Sequence, residues 1–105
     1  MNYLCKMGLS EDERATLSEF FSRRPVKRAY LFGSYARQEG ILGSDLDILV
    51  ELDHRKPIGL KFFTYQLELE VLLNKKVDLV TSEGLSRYVR PFVDKDKILI
   101  YEGGD

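Results

Sequence analysis

The chain has 105 residues, of which 44% are hydrophobic and 31% charged, with a formal net charge of −1. That length suits one core, read here as one domain spanning 1–105, and the charge balance disfavours general binding along a nucleic-acid backbone. Cys5 is the only cysteine and no apolar run reaches membrane-spanning length. No disulfide, signal peptide or membrane span is therefore expected, and the chain is read as cytoplasmic.

Residues 1–9 read as a lead-in. Ser10-Glu11-Asp12-Glu13 has the Ser-x-x-Glu spacing of a capping box, which predicts a helix running to about Arg23. Ala15, Leu17, Phe20 and Phe21 give that helix an apolar side, and Pro25 ends it. Its three acids are read as capping charges rather than metal ligands. Lys27 to Phe32 is the first predicted strand, and it delivers the chain to Gly33.

The stretch from Gly33 to Val50 carries the chemistry. Gly33 permits a sharp turn and close approach of a ligand to the backbone. A short helix predicted over Tyr35 to Gln38, beginning beside Ser34, aims free N–H groups and the positive end of its dipole at that place, which suits a phosphate. Gly40 and Gly43 mark the loop that follows, and Leu46 to Leu52 is the second strand. Leu46, Ile48, Val50 and Leu52 share one of its faces, and Asp45, Asp47 and Leu49 the other. Two carboxylates that close repel each other, and a divalent cation relieves the repulsion. Acids heading an apolar strand are costly to bury without such a partner.

His54, alone in a charged connection, is given no role. Pro57 suits the first turn of a long helix reaching about Leu73. Leu60, Phe63, Leu67 and Val71 recur at helical spacing and are read as mostly core, with Phe62, Leu69 and Leu72 widening the stripe. The alternative is that the surplus, with Tyr65, forms a partner surface. Asn74 tolerates the left-handed conformation that ends helices. Lys76 to Thr81 is the third strand, with Val77 and Leu79 facing one way and Asp78 and Val80 the other. Residues 83–95 read as a helical segment restarting at Pro91, with Arg87 and Arg90 on one face. Those arginines serve either phosphate or partner contacts, or simply a solvated basic face. Ile98 to Tyr101 is the final strand.

Gly33-Ser34, ten residues, then Asp45-x-Asp47 resembles the signature of the nucleotidyltransferase superfamily that includes DNA polymerase beta. The run Lys75 to Thr81 resembles its minimal, MNT-type members, and the resemblance covers about Lys27 to Glu102. It implies an α/β (α+β) fold, with a small mixed sheet of about four strands flanked by helices. It implies a Mg²⁺-dependent enzyme. Gly33 and Ser34 would hold the phosphates of ATP, and two Mg²⁺ ions would be held by Asp45, Asp47 and Asp78 as catalytic carboxylates. Arg37 is either a phosphate contact or a surface arginine. Gln38-Glu39-Gly40 departs from the Gly-Glu common after the arginine, which touches the loop and not the metal ligands.

A chain this short has little room for an acceptor domain. The resemblance implies that the acceptor is a tyrosine hydroxyl of a partner HEPN-domain toxin, and that AMP transfer makes this chain its antitoxin. Assembly with itself or with the toxin is left open. Two other readings stand beside it: an antitoxin that neutralises by contact alone, and an enzyme acting on a small molecule such as an aminoglycoside. Relatives of the second kind usually carry a helical C-terminal domain, not seen here. A polymerase role ranks lower, given the balanced charge.

Overall fold

The computed structural model describes residues 10–33, 45–53 and 61–103. Within them lie α1 (Glu11–Ser22), β1 (Val26–Phe32), β2 (Leu46–Leu52), α2 (Lys61–Leu73), β3 (Val77–Thr81), α3 (Arg90–Asp96) and β4 (Ile98–Glu102). The predicted helix over 35–38, His54 and the predicted helix start at Pro57 lie outside the described residues. No helix among the described residues is long and apolar enough to cross a membrane.

The four strands form one mixed sheet in the order β3-β2-β1-β4. β1 pairs antiparallel with both β2 and β4, while β2 and β3 run parallel. Parallel neighbours need a crossover, and α2 supplies it. The expected mixed α+β sheet of four strands is what forms.

Strand alternation divides the sheet into two faces. Ala29, Leu31, Leu46, Ile48, Val50, Val77 and Leu79 point inward and are buried in one cluster with Leu17, Phe20 and Phe21 of α1 and Tyr65, Leu69 and Leu73 of α2. Phe20 meets Phe21 and Tyr65 edge-on, with ring centroids 5.6 and 5.9 Å away. That geometry adds about 0.5–1.5 kcal/mol per pair beyond burial. The Arg24 guanidinium lies 3.5 Å above the Phe20 ring and bonds Glu68 at 2.8 Å, tying α1 to α2.

The α2 stripe departs from expectation. Phe63, Leu67 and Val71 are 70%, 62% and 82% exposed, whereas Tyr65, Leu69 and Leu73 are buried. Both sets repeat every four residues. They differ by two positions, which turns a helix by about 200° and so onto the opposite face. Tyr65 therefore belongs to the core and not to a partner surface. Leu60 lies outside the described residues.

The outer face carries Arg28, Tyr30, Phe32, Asp47, Leu49, Asp78 and Val80. Arg28 bridges Glu51 at 2.8 Å and Glu102 at 3.0 Å, clasping three strands. Residues 82–97 must carry the chain from one edge of the sheet to the other. They cross the outer face: the Lys97 Nζ sits 4.5 Å over the ring of Tyr30. Residues 87–89 form a turn before α3. Arg87 therefore shares no helix face with Arg90, contrary to expectation. Arg87 donates to the Tyr88 hydroxyl, and Arg90 to the Ser82 carbonyl.

The predicted capping box is present. Glu13 N–H donates to Ser10 Oγ at 3.1 Å, and Ser10 N–H to Glu13 Oε1 at 3.0 Å. Glu13 also pairs with Lys75 beyond α2 at 3.0 Å. Burial pushes the Glu13 carboxyl up, but the Ser10 N–H and Lys75 outweigh it and hold the carboxyl below its ordinary value. A depressed carboxyl stabilises the fold above the unfolded-state pKa, and that support is lost as pH falls through the folded one. Glu13→Gln is expected to cost about 1 kcal/mol at neutral pH. In urea melts across pH, the gap to wild type should close on acidification; a gap independent of pH would contradict this assignment.

Candidate active site

β1 ends at Phe32, and Gly33 turns the chain with φ of +76°. Side chains rarely adopt that conformation, so glycine answers a local demand. A second demand comes from β2. A Cβ added at Gly33 would lie 2.2 Å from Oδ2 of Asp47 and 3.1 Å from its Cγ. The missing side chain is the space the carboxylate occupies.

Asp47 reaches this position through sheet register. It faces Phe32 across the antiparallel pair and Asp78 across the parallel one. Register partners in adjacent strands project from the same face at neighbouring heights. Their flanking residues Leu46, Ile48, Val77 and Leu79 are buried on the other face, so Asp47 and Asp78 both point outward. Asp47 is half-buried and Asp78 exposed. Asp45 is exposed and stands directly before the first residue of β2.

The sheet thus brings together Gly33, Asp47 and Asp78, with Asp45 two residues from Asp47. Ser34 and Arg37 lie outside the described residues. Among the described residues no three acidic, histidine or cysteine side chains already converge as a ready-made metal cluster. The donor chemistry nevertheless fits Mg²⁺: carboxylate oxygens, one pair held level by register, beside a backbone turn kept bare of side chain. Phe32 is the neighbour that sequence reading did not weigh. Its signal was its place one residue before Gly33, which register turns into a place beside Asp47.

Gly33→Ala meets both demands at once. Strained backbone of this kind costs about 1–3 kcal/mol, and the new Cβ must also displace Asp47. Thermal unfolding is expected to show that loss, and amide shifts at Asp47 are expected to move. A variant with wild-type stability and an unshifted Asp47 would contradict the close approach.

Comparison with known proteins follows this geometry. The nucleotidyltransferase domain family matches residues 14–101. A Methanocaldococcus jannaschii protein assigned as a protein adenylyltransferase is 39% identical over 93 residues, 89% of this chain and 92% of its own. The protein adenylyltransferase MntA of Thermococcus cleftensis is 35% identical over 82 residues, 78% of this chain and 82% of its own. A solved structure described as a minimal nucleotidyltransferase superposes with a TM-score of 0.71 at 33% identity, covering 83% of this chain and 88% of that one. A chain from a complex of a tri-AMPylated Shewanella oneidensis HEPN toxin with its MNT antitoxin superposes with a TM-score of 0.66. At 19% identity, covering 88% of this chain and 71% of that one, it speaks to the fold alone. The family match spans most of the chain and the relatives agree with it, so the chain belongs to the nucleotidyltransferase domain family, in its minimal form.

Proposed function

We propose that the chain transfers AMP from ATP to a tyrosine hydroxyl of a HEPN-type toxin and acts in this way as its antitoxin. The observation that carries the reading is the outward-facing pair Asp47 and Asp78, level in register beside the bare turn at Gly33. The names of the relatives, protein adenylyltransferases, support AMP as the group moved. The kind of acceptor is proposed by analogy with the AMPylated HEPN toxin bound by the fold neighbour from Shewanella oneidensis.

In this reading the phosphates of ATP lie on the backbone of Gly33 and Ser34, and Arg37 offsets their charge. Asp45, Asp47 and Asp78 would hold Mg²⁺, which when bound supplies charge neutralisation and Lewis acidity at the phosphates. The acceptor oxygen attacks the α-phosphorus. An oxygen–phosphorus bond forms there, the bond from the α-phosphorus to the bridging oxygen breaks, and pyrophosphate leaves with the electron pair. Asp78, the exposed member of the pair, takes the hydroxyl proton on a carboxylate oxygen. Asp47, set against Gly33, lies on the phosphate side. A cytoplasmic setting is part of this reading, supported by the use of ATP and by the single cysteine of the sequence.

The test is intact-mass measurement of the product of the adjacent gene, as the candidate toxin, after incubation with this chain, Mg²⁺ and each of the four nucleoside triphosphates. A gain of one or more AMP units with ATP alone is expected, and Asp45→Asn/Asp47→Asn should abolish it, by 10²-fold or more. A stable complex with no mass gain from any nucleotide would overturn catalysis and leave neutralisation by contact. Gain on a small molecule rather than the protein would overturn the acceptor.

A further inference from the structure

β3 is an edge strand, so half of its peptide groups have no strand to bond. Such edges are normally protected in some way. In a parallel pair, alternate residues turn their N–H groups toward the neighbouring strand. The Lys76 carbonyl accepts from Leu46 N–H, and Ser82 N–H reaches the Val50 carbonyl. By this parity Asp78 faces β2 with its own peptide groups, while Val77 and Leu79 turn theirs away from the sheet.

Those two outward N–H groups are met by side chains of α2. Val77 N–H donates to Glu70 Oε2 at 3.0 Å, and Leu79 N–H donates to Gln66 Oε1 at 3.1 Å. Four residues along a helix advance about 6 Å, and two residues along a strand about 6.6 Å. The i,i+4 pair Gln66 and Glu70 therefore matches the i,i+2 pair Leu79 and Val77 with no strain in either element. Both side chains are half-buried. They grip the strand immediately before and immediately after Asp78.

We propose that Gln66 and Glu70 are positioning residues, whose side-chain oxygens hold the edge of β3 so that the Asp78 carboxylate stays level with that of Asp47. This rests on the reading of Asp47 and Asp78 as a metal-holding pair. Strand pairing alone secures only one side of β3. The helix side chains secure the other, at the peptide that follows Asp78 and at the one that precedes Val77, so the strand is pinned on both sides of the Asp78 side chain. The surplus apolar residues of α2 face solvent, while its two uncharged or acidic acceptors at 66 and 70 face the strand. That division gives the helix a task toward the site besides core packing.

The test uses the full chain in four forms: wild type, Gln66→Met, Gln66→Met/Glu70→Met, and Glu70→Gln. Methionine keeps the length and removes the acceptor, whereas glutamine at 70 keeps an acceptor oxygen. Amide exchange at Val77 and Leu79, Mn²⁺ affinity measured with AMP-PNP present, and AMP transfer to the toxin are read on each. In the double variant, exchange at both amides should quicken about tenfold, the yield of one lost hydrogen bond each. Mn²⁺ affinity and kcat should fall together by a similar factor, with KM for ATP within twofold of wild type. Gln66→Met should give part of that loss, and Glu70→Gln should retain wild-type values.

Quicker amide exchange with wild-type Mn²⁺ affinity would overturn the proposal, as would a similar loss in Glu70→Gln. A purely structural role would lower the melting temperature and leave affinity and kcat per folded molecule intact, and that too would overturn it. The two readings separate cleanly. A wild type that holds Mn²⁺ through this pair but transfers no AMP would sink the transferase reading and leave the clamp supported. A wild type that holds no Mn²⁺ would sink the clamp.

Discussion

The parallel pairing of β2 with β3 is the constraint on which the site depends. Its register sets Asp47 opposite Asp78 and, through the same two strands, sets Leu46, Ile48, Val77 and Leu79 into the core. The two outcomes cannot be separated. A slip of one residue would drive carboxylates into the apolar cluster and expose the leucines, so packing of the inner face enforces the geometry of the outer one. Burying an unpaired carboxylate costs several kcal/mol, far more than a surface ion pair returns. The Arg28 bridges to Glu51 and Glu102 can therefore decorate the outer face, but they cannot decide the register.

The second constraint is steric. Gly33 stands where β1 ends, and β1 pairs with β2, so the turn and the Asp47 carboxylate meet by strand geometry rather than by a loop's conformation. A motif that reads as a glycine, a gap and two acids becomes one place because antiparallel pairing folds Phe32 onto Asp47. The crossing from β3 to β4 passes over the same outer face, and Asp78 remains exposed beside it.

Much of this was legible in the residues. Period-two alternation from Leu46 to Leu52 gave the strand and its inward face, because Leu46, Ile48 and Val50 alternate with Asp47 and Glu51, although Leu49 on the acid-bearing face is buried too. Ser10 and Glu13 announced α1 through a local bond that needs no tertiary context. The α2 face was not legible. Phe63-Leu67-Val71 and Tyr65-Leu69-Leu73 have the same spacing, and periodicity gives the period of a stripe but not which of two stripes is buried. The aromatic contacts of Tyr65 with Phe20 settle that choice, and they are long-range. Arg87 and Arg90 misled for a related reason: a three-residue spacing implies a shared face only inside a helix, and residues 87–89 are a turn. The grip of Gln66 and Glu70 on β3 carried no sequence signal, since it exists only once helix and strand lie side by side.

Asp47 and Asp78 are proposed to form one oxygen-donor site beside Gly33. The most direct measurement is anomalous scattering from crystals of this chain soaked in Mn²⁺ and AMP-PNP. A peak is expected within coordination distance, about 2.0–2.4 Å, of carboxylate oxygens from both residues. A peak held elsewhere, or by only one of the two, would contradict the proposal, because the register that levels the pair would then serve packing alone.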